Sequence, residues 1–410
     1  MLELKSSSID TTFICPDCGC KFGQSKALIF QGIHVLASCE CECCENNYYH
    51  TVPSGHSALF PISFSQKTNK TRFDEKVKVW LADPLIQSIR NNLSNDKTIS
   101  KKVFRETKEI ILLNCLDTCY GHVFLKLLNA QKYIKEFPAK GVIVIIPASF
   151  EWLLPKGIAE TWLVETKLDD FNKRILNLDS FVKEELKRFE SVLLSEAPVH
   201  PDISKIEFSE FLKTEKFDLN KFDKAQSQIT FILREDRFWT NNRLDAFLML
   251  LSISKGWMSF MKRYFIFRQN RLIKKLVKKI NEKSGREIQF CAVGLGKSGM
   301  LGTSIKDFRK ETIDEKGEKD WCELYAQSHL VIGIHGSNML IPTALSAGFI
   351  ELLPRYKIAN MTEDIAMNHK GRYTQFLGRH LDEFSSVSLV AEHAVSMMND
   401  FSFLRRNTEA

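Results

Sequence analysis

The sequence predicts an α/β protein with two doubly wound, Rossmann-like domains facing a cleft, preceded by a small β module. Three observations point there. Short apolar runs at 110–113, 142–146, 229–233, 330–334 and 349–353, interrupted only by Thr230, Gly333 and Glu351, have the length and aliphatic content of strands buried on both faces of a parallel sheet. Between several of them lie stretches with apolar residues at helical spacing, so that strand and helix alternate. Ahead of both patterns, seven of the eleven cysteines crowd between Cys15 and Cys44.

Taken in order, the β module spans 1–64, and a polar linker at 65–72 separates it from a first Rossmann-like domain at 76–215. There, the 110–113 strand, a 123–134 helix and the 142–146 strand read as one β-α-β unit, extended by runs at 161–164 and 191–194. A charged, turn-prone segment at 213–224 reads as an interdomain connection. The second domain, 225–400, opens on the 229–233 strand. Its 271–283 helix places Leu272, Ile273, Leu276, Val277 and Ile280 on one face and its lysines on the solvated other. The 288–293 strand, a 321–327 helix, the 330–334 strand, a 339–347 helix and the 349–353 strand complete the set. Two such domains form a cleft at the carboxyl ends of their sheets, where open α/β folds take ligands.

Length and composition set limits. At 410 residues, 44% apolar and 26% charged, the chain has the composition of an ordinary soluble protein, for which disorder is not the default. No run approaches the roughly 18 apolar residues that span a bilayer. The start, MLELKSSSID, lacks the basic and apolar regions of a secretion signal, so a cytosolic location is expected. The net charge of +7 suits an anionic substrate, membrane face or nucleic acid, but it is spread over the whole chain and selects none of them.

Within the cysteine-rich stretch, Cys15-Pro-Asp-Cys18 and Cys41-Glu-Cys43-Cys44 are separated by 22 residues. Each pair can occupy a tight turn that directs two thiolates at one tetrahedral ion. The segment between them alternates like a hairpin, with Gly19 and Gly32 at turns, and the unit resembles a zinc ribbon. Cys15, Cys18, Cys41 and Cys44 are the expected ligands of a structural Zn2+, with Cys39 and Cys43 as rivals in the second pair. Disulfides are the alternative, which a cytosolic chain disfavours. A module of about 50 residues has too little core to be stable alone, so the metal is expected to be a folding element. No basic run interleaved with aromatics points to nucleic acid.

Candidate chemistry lies at strand ends. The loop Asn114-Cys115-Leu116-Asp117-Thr118-Cys119-Tyr120-Gly121-His122 puts two proton acceptors, Asp117 and His122, at the end of the 110–113 strand, and either could deprotonate a hydroxyl. The bland alternatives are a helix N-cap for Asp117 and a packed histidine for His122. After the 229–233 strand, Arg234 and Arg237 present guanidinium forks suited to a diphosphate, or else join Asp236 in a surface ion-pair cluster. The loop His335-Gly336-Ser337-Asn338 leads into a small-residue helix, and Glu351 follows on the next strand, placed to bond a ribose. Gly294, in Val293-Gly294-Leu295-Gly296-Lys297-Ser298-Gly299, lacks P-loop spacing and reads as a strand-end loop lining a nucleotide base.

Together these residues resemble two-Rossmann-domain (GT-B type) glycosyltransferases over about 76–398, most specifically over 229–354. The His335-Gly336-Ser337-Asn338 loop followed by Ile350-Glu351 is similar to the His-Gly-Ala loop of family 61 xylosyl- and N-acetylglucosaminyltransferases, with Arg234 and Arg237 matching that family's arginine motif. Gly121-His122-Val123-Phe124 resembles the glycine-histidine loop of bacterial lipid-linked sugar transferases, and Asp117 is placed like the proposed base of heptosyltransferases. Ser337 stands where Ala is usual, and the ribbon is not part of the usual plan. The resemblance implies transfer of a sugar from a nucleotide-sugar donor to a hydroxyl of a glycan or lipid-linked acceptor, with inversion and without a metal at the reaction centre. Asp117 or His122 would be the base. Arg234, Arg237, Gly294 and the 335–338 loop would hold the donor and Glu351 its ribose. Peripheral association with the inner membrane face accompanies that reading. The competitors are a sugar-nucleotide epimerase and a zinc-ribbon nucleic-acid-binding or scaffold protein with a non-catalytic α/β region.

Overall fold

Aliphatic runs too short for helices form the centre of each sheet. A computed structural model describes residues 1–4, 13–21, 23–361, 365–367, 369 and 371–409, with backbone alone for 23, 24, 26, 94 and 172. The chain divides into two units, Met1–Ile206 and Glu207–Ala410.

In the first unit a six-stranded sheet runs in the order Leu2–Glu3, Ser191–Leu194, Glu109–Asn114, Gly141–Pro147, Glu160–Glu165, Thr98–Val103. The inner four strands are parallel, with Leu112 opposite Ile143 and Ile110 opposite Val192, and every residue of Gly141–Pro147 is buried. The two outer strands are antiparallel and were not legible as apolar runs. Thr98–Val103 carries Lys101 and Lys102, as an edge strand that must refuse further pairing does. The expected helix is present as Tyr120–Glu136.

The cysteine-rich stretch forms a five-stranded antiparallel sheet, Gly23–Phe30, Val35–Cys41, Asn47–Thr51, Ser63–Ser65 and Thr71–Arg72. The segment expected as a linker, 65–72, is therefore its last hairpin. Two matching turns hold the thiols. In the first, Gly19 N donates to Cys15 O and Cys15 N to Cys20 O; in the second, Glu45 N donates to Cys41 O and Cys41 N to Asn46 O. Gly19 and Glu45 both take positive φ, 77° and 57°.

The Sγ atoms of Cys15, Cys18, Cys41 and Cys44 all lie within 4.8 Å of one another, with Cys15–Cys44 at 3.7 Å and Cys18–Cys41 at 3.4 Å. Zn–S bonds of about 2.3 Å give a tetrahedron with edges of about 3.8 Å, so this donor set fits a zinc ion. Of the rivals, Cys39 is buried with its thiol on Ala37 O, while Cys43 lies at similar spacing with Cys20 and Cys41 but is joined to Cys20 by a disulfide, a bond the sequence reading disfavoured. The ribbon does not stand on metal alone, because Phe13, Phe30, Val35 and Tyr48 share one core with Ile110, Leu112, Ile143 and Trp162 of the α/β sheet.

In the second unit six parallel strands run in the order Ile305–Asp307, Gln289–Val293, Gln228–Ile232, Leu330–Ile334, Gly348–Leu353, Gly378–Asp382. Numbered along the chain this is 3-2-1-4-5-6, the dinucleotide-fold order. The helix expected at 271–283 belongs to a longer one, Met258–Ser284, whose Leu272, Ile273, Leu276, Val277 and Ile280 are buried as the spacing requires. Residues 213–224 are not a free connection, since Phe217 and Phe222 pack with Ala347, Leu377 and Phe401 of the second unit.

Glu45 holds a backbone conformation that glycine adopts without the Cβ clash of about 1–2 kcal/mol. Glu45→Gly is therefore expected to raise the melting temperature, by about 1 kcal/mol in stability. Metal analysis should find one zinc per chain, and its removal by a chelator should lower the melting temperature; an unchanged melt after complete removal would deny the ion a structural role.

Candidate functional sites

Each sheet reverses its strand order once among its parallel strands. In the first unit the chain steps from Glu109–Asn114 to Gly141–Pro147 and Glu160–Glu165 on one side, then returns to Ser191–Leu194 on the other. The crevice of an open α/β sheet opens at such a reversal, outside the carboxyl ends of the two diverging strands. Asp117 lies there, and so does a turn from the ribbon. Gly55 N donates to Glu196 O at 2.6 Å and Ser54 Oγ to Ser195 O at 3.0 Å, which seats the Gly55–Ala58 turn on the loop after Ser191–Leu194.

The ribbon thereby delivers His56 to Asp117. The carboxylate of Asp117 is buried and fully engaged: Oδ2 meets His56 Nε2 at 3.1 Å and Lys126 Nζ at 2.7 Å, while Oδ1 meets His122 Nδ1 and accepts from Cys119 N, both at 3.2 Å. Asp117 is not the helix N-cap, a position held by Cys119. Burial would raise its carboxyl pKa, but Lys126 and the hydrogen bonds from His122 and His56 outweigh burial and hold it well below the usual range. Burial, with the Lys126 charge next, lowers His34 behind this cluster to about 3 and keeps it neutral. Lys126 is wholly buried and also donates to Leu116 O at 2.9 Å. Removing one partner from such a pair typically costs about 3–5 kcal/mol, because the other is left as an uncompensated buried charge.

Of the two expected bases, then, the structure separates the roles. Asp117 is an anionic anchor with no acceptor capacity left over, whereas the His122 side chain is 29% exposed and anchored through Nδ1. Nδ1–H donation to a carboxylate leaves Nε2 as the acceptor. The ligand atoms of His56, Asp117 and His122 also lie within 4.8 Å of one another, a spacing a metal ion could use. Lys126 at 2.7 Å already supplies the positive charge there, which works against a second cation. Trp80, half exposed on a π-helical turn (Lys78–Ala82), packs edge-on to His56 with ring centroids 5.0 Å apart. His56, Lys126 and Trp80 were missed from sequence, since nothing local to His56 or Trp80 indicates that the ribbon folds back onto a strand end.

In the second unit the reversal lies between Gln228–Ile232 and Leu330–Ile334, which pair through Ile232 opposite Gly333. The segments that follow carry Arg234 and Arg237 on one side and the His335-Gly336-Ser337-Asn338 loop on the other. Arg237 crosses to that loop, donating from Nη1 to Asn338 Oδ1 at 3.1 Å. It lies over Gly336, where a Cβ would sit 1.3 Å from Arg237 Nη1 and φ is +153°. Ser337 and Asn338 are half-buried beside it. The other guanidinium, Arg234, forms a bidentate pair with Asp236 at 2.7 Å for both bonds, the surface ion pair weighed as its alternative.

Three expected donor contacts meet a different setting. His335 and Glu351 are wholly buried and bonded to each other, Nδ1 to Oε2 at 2.5 Å, with His380 Nε2 4.0 Å away. Glu351 is thus the internal support of the loop rather than a surface carboxylate offered to a ribose. Gly294 makes a close backbone crossing, where a Cβ would stand 1.6 Å from Leu233 O. The amides that follow it are occupied, Lys297 N by Glu311 and Ser298 N by Glu235. The helix after the loop is short, Leu340–Leu345, so the fixed positive charge there comes from Arg237 rather than from a helix dipole.

No protein-family profile matches the chain, and no curated protein does. Among solved structures it is similar to a family 9 glycosyl transferase from Veillonella parvula, with a TM-score of 0.43 and 9% identity over 72% of this chain and 99% of that one. It is also similar to two E. coli proteins. One is a heptosyltransferase solved with ADP, with a TM-score of 0.37 and 10% identity over 70% of this chain and 100% of that one. The other is ADP-heptose heptosyltransferase II, with a TM-score of 0.38 and 9% identity over 71% and 98%. These neighbours are glycosyltransferases, and they give the expected family 61 likeness no support.

The two glycines differ in what an added side chain would meet. Both positions take a positive φ, so an alanine at either carries about 1–3 kcal/mol of backbone strain; at Gly336 the added Cβ meets in addition only the end of the flexible Arg237 side chain. Gly294→Ala carries the same strain and also meets the backbone of Leu233, which cannot yield, so it should lower the melting temperature further, by roughly a further 2–4 kcal/mol in stability. Equal losses in thermal melts would refute this assignment.

Proposed function

We propose that the chain is a glycosyltransferase that moves a sugar from a nucleotide-diphosphate donor to a hydroxyl acceptor with inversion. The second unit would hold the donor, and His122 of the first would serve as the base. One observation carries this reading: in each unit an independently built cluster of the right chemistry falls at the strand-order reversal, a cation over a glycine loop in one and a carboxylate-anchored imidazole in the other.

The chemistry follows from the residues. His122 Nε2 takes the proton of the acceptor hydroxyl, and Asp117 stabilises the resulting imidazolium without itself being protonated. The acceptor oxygen bonds the anomeric carbon from the face opposite the diphosphate. The bond from that carbon to the diphosphate oxygen breaks, and its electron pair leaves with the nucleotide. Arg237, with the amides and short polar side chains of Ser337 and Asn338, meets the charge that develops there. Glu351 keeps His335, and with it the loop, in place. Arg234 would join the donor site only by releasing Asp236. Trp80 packs on His56, whose ring lies 4.7 Å from that of His122, and would offer an acceptor sugar an aromatic wall there. The nucleic-acid or scaffold alternative is weaker because the ribbon commits its inner face to the first unit's core and its Gly55–Ala58 turn to the Asp117 cluster.

A thermal-shift panel of UDP-, GDP-, CMP- and ADP-sugars tests this. At a hundredfold excess over Kd one of them should stabilise the chain by about 2.7 kcal/mol. Arg237→Ala should abolish that shift. His122→Ala should keep it and lower turnover by about 10²–10⁴-fold. No shift with any sugar nucleotide, or a full shift with Arg237→Ala, would contradict the proposal.

A further inference from the structure

The second unit carries an apolar surface that its own core does not cover. Asn242 caps the helix Arg243–Ser254 by accepting from Asp245 N, and Gly256, with φ +70°, turns the chain into Met258–Ser284. Asp245 locks the two helices into a rigid hairpin: its Oδ2 accepts from Arg268 Nε and Nη2 at 3.0 and 2.8 Å, and its Oδ1 from Tyr264 Oη at 2.7 Å. One side of the hairpin is fastened inward by Phe238, Phe265 and Ile266, with Leu248, Met249, Met258 and Met261 against them.

The other side faces out. Leu244 is 66% exposed, Phe247 61%, Phe260 85% and Phe267 61%, and Leu250, Ile253 and Trp257 are exposed between them. Isolated surface hydrophobics are ordinary, but this many large ones on one rigid hairpin mark a binding surface. No helix among the described residues is long and apolar enough to cross a membrane, so an apolar face this short can enter only the interfacial layer.

Charge identifies the occupant. From Arg243 to Lys279 the sequence holds ten lysines and arginines against one acid, Asp245, which is buried in its pair with Arg268. Beside the apolar face, Arg263, Arg271 and Lys274 with Ile266, Phe267 and Met300 line a cavity of about 470 Å³. Three cations and apolar walls in one recess match an anionic headgroup with the start of its acyl chains. A second copy of the chain fits poorly, because a twofold contact would set the same basic rim against itself. Nucleic acid would use the cations and leave the phenylalanines in water.

We propose that the Arg243–Ser254 and Met258–Ser284 hairpin docks the protein on an anionic phospholipid bilayer, with Phe247, Phe260 and Phe267 inserted at the headgroup level and Arg263, Arg271 and Lys274 on lipid phosphates. This stands independently of the transferase reading. The test is co-sedimentation of the full chain with phosphatidylcholine vesicles and with equimolar phosphatidylcholine–phosphatidylglycerol vesicles. The chain should bind the anionic vesicles at least about tenfold more tightly, since each basic side chain near the surface contributes roughly a fivefold factor. Phe247→Ser, Phe260→Ser and Phe267→Ser combined should release it, and so should Arg263→Glu with Arg271→Glu, each with an unchanged circular dichroism spectrum. If the first set fails to fold, the charge pair alone decides. A chain that stays in the supernatant, binding that survives both sets, self-association abolished by the serine variants without vesicle binding, or retention on RNA in place of vesicles would each overturn the proposal.

Discussion

The constraint on which the rest depends is the reversal of strand order in each sheet. Where one strand's connection departs to the left and its neighbour's to the right, no helix covers the gap between them, and the loops beyond the carboxyl ends line an open crevice. In the second unit that places the segment after Gln228–Ile232 beside the loop after Leu330–Ile334, close enough for Arg237 to reach Asn338. In the first it leaves room for the ribbon's turn to lower His56 onto Asp117.

Burial then sorts residues of similar type into different tasks. Asp117 and Glu351 both read from sequence as carboxylates at strand ends open to a ligand. Both are buried to within a few per cent and bonded to histidine. Their function is to fix an imidazole: His122, partly exposed, becomes a directed group, while His335 becomes a support beneath its loop. The arginines divide in the same way. Asp236 satisfies Arg234 locally, which leaves Arg237 facing the loop. The ribbon is likewise more than a metal-stapled appendage, because it completes one core and supplies His56 and, through the chain that follows it, Trp80 to one site.

How much of this was legible follows from what sequence pattern encodes. Strands buried on both faces announce themselves as aliphatic runs, so 110–113, 142–146 and 330–334 were found almost to the residue. Thr98–Val103, Ile305–Asp307 and Gly378–Asp382 lie at or toward sheet edges, mix polar with apolar residues, and were not recognised as strands. Among site residues, chain neighbours such as Asp117 with His122 could be paired from sequence because one loop holds both. Pairings made by folding, His56 with Asp117 and Asp245 with Arg268, have no local signature. The glycines show the same limit: Gly336 and Gly294 look alike in sequence, and only their surroundings distinguish a guanidinium rest from a backbone crossing.

Hydrogen–deuterium exchange of the full chain, with and without an equimolar mixture of ADP, UDP, GDP and CDP, probes the central claim most directly. The account predicts slowed exchange confined to the segments around 234–237 and 335–338, the two loops that meet at the second unit's reversal. Protection centred on 294–299 instead, or none at saturating nucleotide, would contradict it.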